Sequence, residues 1–384
     1  MPRPPSLRVC YFGTYDQDYP RNRIFIDGLR ANGVDVLICN VPLWAGTEEK
    51  VARAAGSWRA PRFLGKVLRT YLALLRQELR LPPYDVMLVG YPGQFDMPLA
   101  RLLAWRRRVP LAFNVLMSLY LIVQERGLDR ASPWSGRLIR SVEQLACRLA
   151  DVIILDTTAY VDYFCREYRL SRTKFRLVPL GADQRLHHPV ARRPRPDRPF
   201  TVAYAGTYIP LHGVEHIVAA AALLRQQTDI QFMLIGRGQL KPRIMAQAEE
   251  LGLQNVTFIE WLEKEELREM LADADVCLGV FGTTVQSLIT VQNKIWEGLA
   301  ARKAVLTGDA PMLREVLVPG RDLWVCPRAD PAALAAAIRV LYRDPALRAR
   351  LAESGHRLIQ EHYTVAHTGR RLRDALEEVR RHRR

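Results

Sequence analysis

Apolar positions in this chain come in short, β-rich runs, each closed by a glycine or polar turn and followed by residues at helical spacing. The first run, "LRVCYFG" (Leu7–Gly13), is apolar at nearly every position. Such a run reads as a strand buried on both faces of a parallel sheet. "RNRIFIDGLRANG" follows at helical period, with Ile24 and Leu29 facing inward and Gly33 closing it. "VDVLICNV", "YDVMLVGYPG" (84–93), "PLAFNVL" (110–116) and "DVIILDT" (151–157) repeat the strand pattern. Helical stretches such as "DMPLARLLAWRRR" and "SGRLIRSVEQLACRLA" separate them, and "KFRLVPLGAD" (174–183) predicts one more strand. This alternation predicts a parallel sheet with helices on both faces.

The Pro- and Arg-rich segment "HHPVARRPRPDRPF" (187–200) has almost no apolar residues and reads as a linker. The alternation then restarts. "FTVAYAGTY" (200–208), "IQFMLIGRG" (230–238), "NVTFIEWL", "ADVCLGVFG", "KAVLTGD" and "DLWVCPRAD" are strands, and "HGVEHIVAAAALLRQQ" and the long stretch after Asp330 are helices. The fold class expected is α/β, with two tandem Rossmann-like, doubly wound domains. They span 1–186 and 200–364, joined by a linker at 187–199 and followed by a basic helix at 365–384 able to cross back to the first domain. Ligands in such sheets bind at the C-terminal ends of the strands, so two facing domains are expected to frame a cleft.

Composition narrows the picture. At about 100–200 residues per domain, the length allows two or three domains, and 49% hydrophobic residues can fill two cores. Six widely spaced cysteines, with no CxxC pair, read as reduced thiols of a cytosolic protein without structural zinc. The start lacks the apolar stretch of a signal peptide, and no run reaches the roughly 18 apolar residues of a membrane span. The formal charge of +16 favours anionic partners: phosphates, an acidic membrane surface or nucleic acid. Arg-rich solvated helix faces are the plain alternative.

Glycine-bearing loops follow several strands: "GTYD" (13–16), "GYPGQFD" (90–96), "GTYIPLHG" (206–213), "GRG" (236–238) and "FGTT" (281–284). Glycine lets backbone N–H groups approach a phosphate, and a following helix N-terminus adds positive potential. Each loop alone is weak evidence, since a turn glycine after a strand is more often plain geometry. No GxGxxG or GxxxxGK[ST] is present, so dinucleotide and P-loop readings lack their fingerprint. In "NKIWEGLAARKAV" (293–305), Lys294 and Glu297 lie one turn apart on one helical face. They form either a solvated i,i+3 pair or the lip of a site for a charged ligand.

The order of these motifs resembles the nucleotide-sugar domain of GT-B glycosyltransferases of the family 4 type. Gly206 through "PLHGVEHIVAAAALL", then "MLIGRG", "NVTFIEWLEKEELREMLADADVCL", "EGLAARKAV" and "HYT" follow the family order over roughly 200–364. "QNKIWEGLAARKAV" is similar to a subgroup with an N-K-x-x-E pattern. Two departures stand out. The family's first Glu, eight residues before the second, is Ile289 here, and its Arg/Lys pair after the first strand is replaced by Thr207 and His212.

The resemblance implies a retaining, metal-independent transfer from a UDP- or GDP-sugar to a glycan or lipid-linked acceptor, without a cofactor. It places Lys294 on the diphosphate and Glu297 on the ribose hydroxyls. Backbone around Trp261 and Leu262 would flank the base, and Gly206, Thr207, His212, Gly236, Arg237, Gly238, Gly282, Thr283 and Asn293 would line the donor site. In the first domain, Gly13, Thr14 and Asp16, with Arg21 and Arg23, are expected at the cleft. Asn114 stands where relatives carry a His or Asp near the sugar. Asp96 is the best carboxylate to meet an acceptor hydroxyl, its alternative role being a helix N-cap for "MPLARLLAW".

"APRFLGKVLRTYLALLRQELRL" (60–81) sets Arg62, Lys66, Arg69, Arg76 and Arg80 beside Leu64, Leu68, Tyr71, Leu75 and Leu79 at helical spacing. It reads either as a peripheral helix on the anionic inner face of a membrane or as a helix packed on the sheet with its Arg side chains in solvent. The tail "RRLRDALEEVRRHRR" reads the same way. The residues leave other functions open: a nucleotide-sugar epimerase on the same scaffold, or a non-catalytic GT-B-like subunit. Nucleic-acid binding rests on charge alone and is not expected, since no RNP, HTH or zinc motif supports it.

Overall fold

The structure, a computed structural model, describes residues 7–43, 61–190 and 198–382. Residues 191–197 of the linker expected at 187–199, and Ala60 at the start of the expected basic helix, lie outside them. The described residues form two compact units, one within 1–180 and 365–384, the other within 181–364. Each is built around a six-stranded sheet whose neighbouring strands pair in parallel.

In the first unit the chain runs β1 (Arg8–Gly13), α1 (Pro20–Ala31), β2 (Asp35–Asn40), α2 (Pro61–Leu79), β3 (Val86–Val89), α3 (Met97–Arg107) and β4 (Leu111–Asn114). It continues α4 (Leu119–Glu125), α5 (Leu128–Ala131), α6 (Pro133–Leu149), β5 (Val152–Leu155), α7 (Thr158–Tyr168) and β6 (Phe175–Leu177). The strand order is β2-β1-β3-β4-β5-β6. The chain moves one way from β1 to β2 and the other way thereafter. Right-handed crossovers therefore put α1 on one face and α2, α3, α6 and α7 on the other. Strands β3, β4 and β5 are buried at every position, as their unbroken apolar runs require.

Three sequence expectations change here. The strand expected over 174–183 ends at Leu177; Pro179 has no N–H to continue a ladder, and Ala182 instead donates to Tyr363 O within the second unit. The tail helix α15 (Val365–His382) lays Val365, Leu372 and Leu376 against Ile24, Phe25 and Leu29 of α1. Its apolar face is thus taken and is not free for a membrane. In α2, Phe63, Thr70, Leu74 and Glu78 face inward, while Leu64, Leu68, Leu72 and Leu79 point outward with the basic residues. The leucine stripe is not the packed face.

The second unit runs β7 (Phe200–Ala205), α8 (Val214–Leu223), β8 (Ile230–Ile235), α9 (Lys241–Glu250), β9 (Val256–Ile259), α10 (Lys264–Ala272) and β10 (Val276–Leu278). Then come α11 (Val285–Ile289), α12 (Asn293–Ala300), β11 (Ala304–Gly308), β12 (Trp324–Cys326), α13 (Pro331–Arg343) and α14 (Pro345–His362). The order β12-β11-β10-β7-β8-β9 reverses between β7 and β10. The loops after those two strands, at Gly206 and Gly282, flank the switch point where ligands of open α/β sheets bind. Five of the six cysteines are buried, Cys165 is half-buried, and all are free thiols.

Candidate functional site

The second unit brings three glycine loops into van der Waals contact. A Cβ on Gly236 would lie 1.9 Å from Gly206 O, and one on Gly238 would lie 2.5 Å from Tyr208 N. A Cβ on Gly282 would lie 2.5 Å from Pro210 O. Gly206, Gly236 and Gly238 also hold positive φ values of 153°, 138° and 151°. Only glycine lets these strand-end loops stack so closely. Phe281 N donates to His212 O at 2.9 Å and Tyr208 N to Arg237 O at 2.9 Å, tying the loops together.

Helix α12 starts at Asn293 beside these loops. Ile295, Trp296, Leu299 and Ala300 are buried, and Trp296 stacks on Tyr363 with ring centroids 4.8 Å apart. That anchoring leaves Asn293, Lys294 and Glu297 on the other side, at the helix end where the backbone dipole is positive.

Lys294 reaches the floor of the loop stack. Its Nζ donates to the Tyr204 hydroxyl at 3.1 Å and sits 4.2 Å from the centre of the Tyr204 ring. A Cβ on Gly206 would come within 2.6 Å of that nitrogen. Burial lowers the Lys294 pKa to about 7, partly countered by Glu297. The two do not form an ion pair: the Glu297 carboxylate lies 3.7 Å from His187 Nε2.

Tyr204 OH is also 2.8 Å from Thr207 O and from His212 Nδ1, and His212 Nδ1 is 2.5 Å from Thr207 O. The carbonyl can only accept, so Nδ1 carries the proton and Nε2 is the bare ring nitrogen. Burial, then the Lys294 charge, push the His212 pKa well below its ordinary value. His212 is therefore neutral at pH 7 and does not supply the positive charge expected at its position. It props the loop that carries Thr207.

Arg237 stacks on the half-exposed Trp261 at 5.3 Å from the ring centre, with Leu262 next in the chain and partly buried. Thr283 is exposed on the loop beside Gly282, just ahead of Thr284, which caps α11. Ile289 is buried in α11, so no carboxylate stands at the family's first Glu position.

Three groups in this unit escape sequence reasoning. Tyr204 reads as one more apolar strand position. Lys241 looks like a surface lysine at a helix start, yet its Nζ bonds Gly236 O at 2.9 Å, Ile259 O at 3.2 Å and Glu260 at 2.6 Å. Arg328 donates to Gly282 O at 2.9 Å and Asp309 O at 2.8 Å, while burial lowers its pKa to about 10. Only "PRAD" after β12, a basic residue at a strand end, hinted at it.

Among the first-unit candidates, Thr14, Arg21, Asp96 and Asn114 are buried and Asp16 and Arg23 are half-buried. Gly13 has φ 137°, and its Cα faces the Asp96 carboxylate. Asp96 accepts from Thr14 N at 2.8 Å, Thr14 Oγ1 at 3.1 Å and Tyr71 OH at 2.8 Å. It stands at the N-cap position of α3 without capping it, because its carboxylate is turned to these donors. Asp16 caps its own loop, accepting from Asp18 N. Asn114 accepts from Arg21 Nε at 2.7 Å and donates to Tyr11 OH at 3.2 Å. Arg21 is fully buried against the Phe25 ring, and Arg23 bonds Asp18 O.

Comparison with known proteins agrees with this geometry. The profile of glycosyl transferases group 1 matches residues 199–344, and that of the glycosyl transferase 4-like domain matches 22–181. The MMP alpha-(1->4)-mannosyltransferase of Mycolicibacterium hassiacum is 26% identical over 58% of this chain and 53% of its own length. The alpha-D-kanosaminyltransferase of Streptomyces kanamyceticus is 27% identical over 71% of each. The chain thus spans about half the length of several curated relatives it matches.

Among solved structures, sucrose-phosphate synthase from Thermosynechococcus elongatus superposes with a TM-score of 0.72 at 18% identity, covering 97% of this chain and 99% of that one. The Anabaena protein HepE, solved with UDP-glucose, gives 0.67 at 15% identity, covering 97% and 100%. These likenesses define a fold class of two Rossmann-like domains, the GT-B fold. The chain belongs to the GT-B glycosyltransferases of the family 4 type.

Proposed function

We propose that this protein transfers a glycosyl group from a UDP- or GDP-sugar to a glycan or lipid-linked acceptor, with retention and without a metal ion. The observation that carries the reading is Lys294. Its ammonium is held over the Gly206 loop, at the N-terminus of α12, with a pKa near neutrality. A leaving nucleoside diphosphate gains negative charge as the glycosidic bond breaks. A preorganised cation and backbone N–H donors stabilise that charge in the transition state.

In this reading Lys294 and the amides of the Gly206 and Gly282–Thr283 loops meet the diphosphate. Arg328 holds the Gly282 carbonyl, which fixes the loop's orientation. Glu297 accepts from the ribose hydroxyls, and Trp261 with Arg237 flanks the base. Family membership and the curated transferase relatives support the reaction class. The UDP-glucose complex of the Anabaena neighbour supports a uridine donor as the first candidate.

The test is direct. Purified protein is titrated calorimetrically with UDP and GDP, and assayed for hydrolysis of UDP- and GDP-sugars with and without EDTA. Micromolar binding that Lys294→Ala removes, with turnover insensitive to EDTA, is the expected result. Absence of binding to either nucleotide would overturn the site assignment.

A further inference from the structure

Helices α2, α3 and α6 lie side by side on one face of the first sheet. Arg107 of α3 bonds Glu78 of α2 at 2.8 Å, and Arg101 of α3 bonds Leu149 O at the end of α6 at 3.1 Å. Their outward side chains have an unusual composition. Leu64, Leu68, Leu72 and Leu79 of α2 are exposed, as are Leu102 and Trp105 of α3 and Trp134, Leu138 and Leu145 of α6. Trp105 is 70% and Trp134 67% accessible. Single exposed leucines mean little, but a continuous set over three neighbouring helices marks an interaction face.

Charge says what it faces. Lys66, Arg69, Arg76, Arg106, Arg137 and Arg148 are all exposed on these helices. The carboxylates run the other way: Glu78, Glu143 and the pre-helix Asp96 are fully buried and hydrogen-bonded inside the unit. Of the carboxylates beside them, Asp151 and Glu167 are paired with Arg101 and Arg140, and Asp129 of α5, packed against Gly136 of α6, accepts from Arg130 N. Among the described residues, no exposed acid therefore remains on the three helices.

On α2 the split is angular. Leu64, Leu68, Leu72, Leu75 and Leu79 fall in one arc, Arg69 and Arg76 in the next, and Phe63, Leu74 and Glu78 in the buried one. A protein partner of mixed charge gives no reason for excluding every acid. An anionic bilayer does: leucine and tryptophan enter the headgroup boundary while Arg and Lys meet lipid phosphates.

We infer that the outer face of α2, α3 and α6 docks this protein on an anionic membrane surface. The occupant is a lipid bilayer; attachment is peripheral, since among the described residues no helix is long and apolar enough to cross a membrane. This inference stands apart from the donor site, which lies in the other unit.

Flotation of the full chain with vesicles tests it, using phosphatidylglycerol mixed with phosphatidylcholine against phosphatidylcholine alone. The protein is expected on the anionic vesicles only, with binding weakening as salt rises. Arg69→Glu with Arg76→Glu should weaken binding about tenfold or more, because each change removes an attraction to lipid phosphate and adds a repulsion. Leu68→Ser with Leu72→Ser should weaken it comparably and make the remainder fully salt-sensitive. Arg373→Glu with Arg381→Glu, on α15 across the sheet, should leave it unchanged.

Thermal melts and UDP titration of each variant report whether the fold survives. Equal flotation on neutral vesicles, or anionic binding that none of the α2 changes alters, would overturn the inference. So would a concentration-dependent dimer, dissolved by Leu68→Ser with Leu72→Ser, in a protein that ignores vesicles. That result would make the face an interface between copies.

Discussion

The ammonium of Lys294 lies 3.1 Å from the hydroxyl of Tyr204 and 4.2 Å from the centre of the same ring. The tyrosine gives the cation one acceptor and one π face in a place that otherwise penalises charge. With a pKa of about 7, Lys294 is only part-protonated near neutrality. A bound diphosphate favours the charged form, so binding should take up protons. UDP affinity, measured by calorimetry from about pH 6 to about pH 8.5, should fall as pH rises through 7. Tyr204→Phe removes an acceptor that favours the ammonium. Its fall in affinity should therefore begin at lower pH, while the retained ring keeps the site shaped. Affinity flat in pH for both proteins would argue that Lys294 does not face the ligand.

The same shift makes a stability prediction of opposite sense. Lys294 has a folded pKa depressed from 10.5 to about 7, so between those values the unfolded chain binds more protons. Stability rises with pH across that window, and the cost of burying the charge is fully present below pH 7. Lys294→Met should raise the melting temperature most at low pH and least by about pH 10.5. The same variant should lose UDP binding by about 10- to 100-fold, the range for a hydrogen bond to a charged group. A variant destabilised equally at all pH values would contradict the buried-cation assignment.

Much of this was legible in the sequence. Short unbroken apolar runs bounded by turn residues, such as Val86–Val89 in the first unit and Val276–Leu278 in the second, read as central parallel strands, so the two sheets were expected from pattern. Lys294 and Glu297 share a helix face because period 3.6 requires it. Their partners did not follow. Tyr204 and Lys294 are brought together by a crossover across the sheet, and nothing in a strand pattern marks which tyrosine hydroxyl is needed. His212 stands where the family carries a Lys, and only its burial beside Lys294 shows it to be neutral. In α2 the error was one of phase. A helix with two apolar arcs has no unique inner face until Thr70 and Glu78 are seen to turn inward.

The Glu297 assignment is testable by the sugar of the nucleotide. If its carboxylate accepts from the ribose, wild-type protein should prefer UDP over its 2′-deoxy counterpart. Glu297→Ala should lose that preference, by about 10-fold. Because Glu297 lies 3.7 Å from His187 Nε2, His187→Ala is the companion variant. It should change affinity for both nucleotides alike, since it removes only a neighbour of the carboxylate. Retained discrimination in Glu297→Ala would move the ribose elsewhere.

The loop stack makes Gly236 intolerant of any side chain. Its φ of 138° disfavours L residues, and a Cβ would sit 1.9 Å from Gly206 O. Gly236→Ala must push the Gly206 loop away from Lys294. The strain alone costs about 1–3 kcal/mol. UDP binding should be lost even at temperatures where the variant remains folded by circular dichroism. Gly252, at φ 61° with nothing near its Cβ position, is the control. Gly252→Ala carries the milder strain of a left-handed residue and should bind UDP normally. Equal nucleotide loss in both would mean that the second unit is simply unstable.

The tail helix offers the sharpest packing test. Gly28 of α1 and Gly369 of α15 let the two backbones touch; a Cβ on Gly369 would lie 2.0 Å from Gly28 C. Asn32 Nδ2 clamps the crossing by donating to Gly28 O at 2.7 Å and Ala366 O at 2.8 Å. Gly369→Val must therefore separate the helices and strip cover from Ile24, Phe25 and Leu29. Overpacking costs about 1–3 kcal/mol where neighbours can yield. Here the neighbour is backbone, so the cost should sit at or above the top of that range. Urea melts should shift accordingly, and hydrogen exchange should lose protection in α1 and 365–382 together. Gly65, on the outer side of α2 with nothing near its Cβ position, provides the opposite sign. Gly65→Ala should stabilise by about 0.5–1 kcal/mol, the helix-interior cost of glycine against alanine. Unchanged protection of α1 in Gly369→Val would show that the tail does not hold the first unit together.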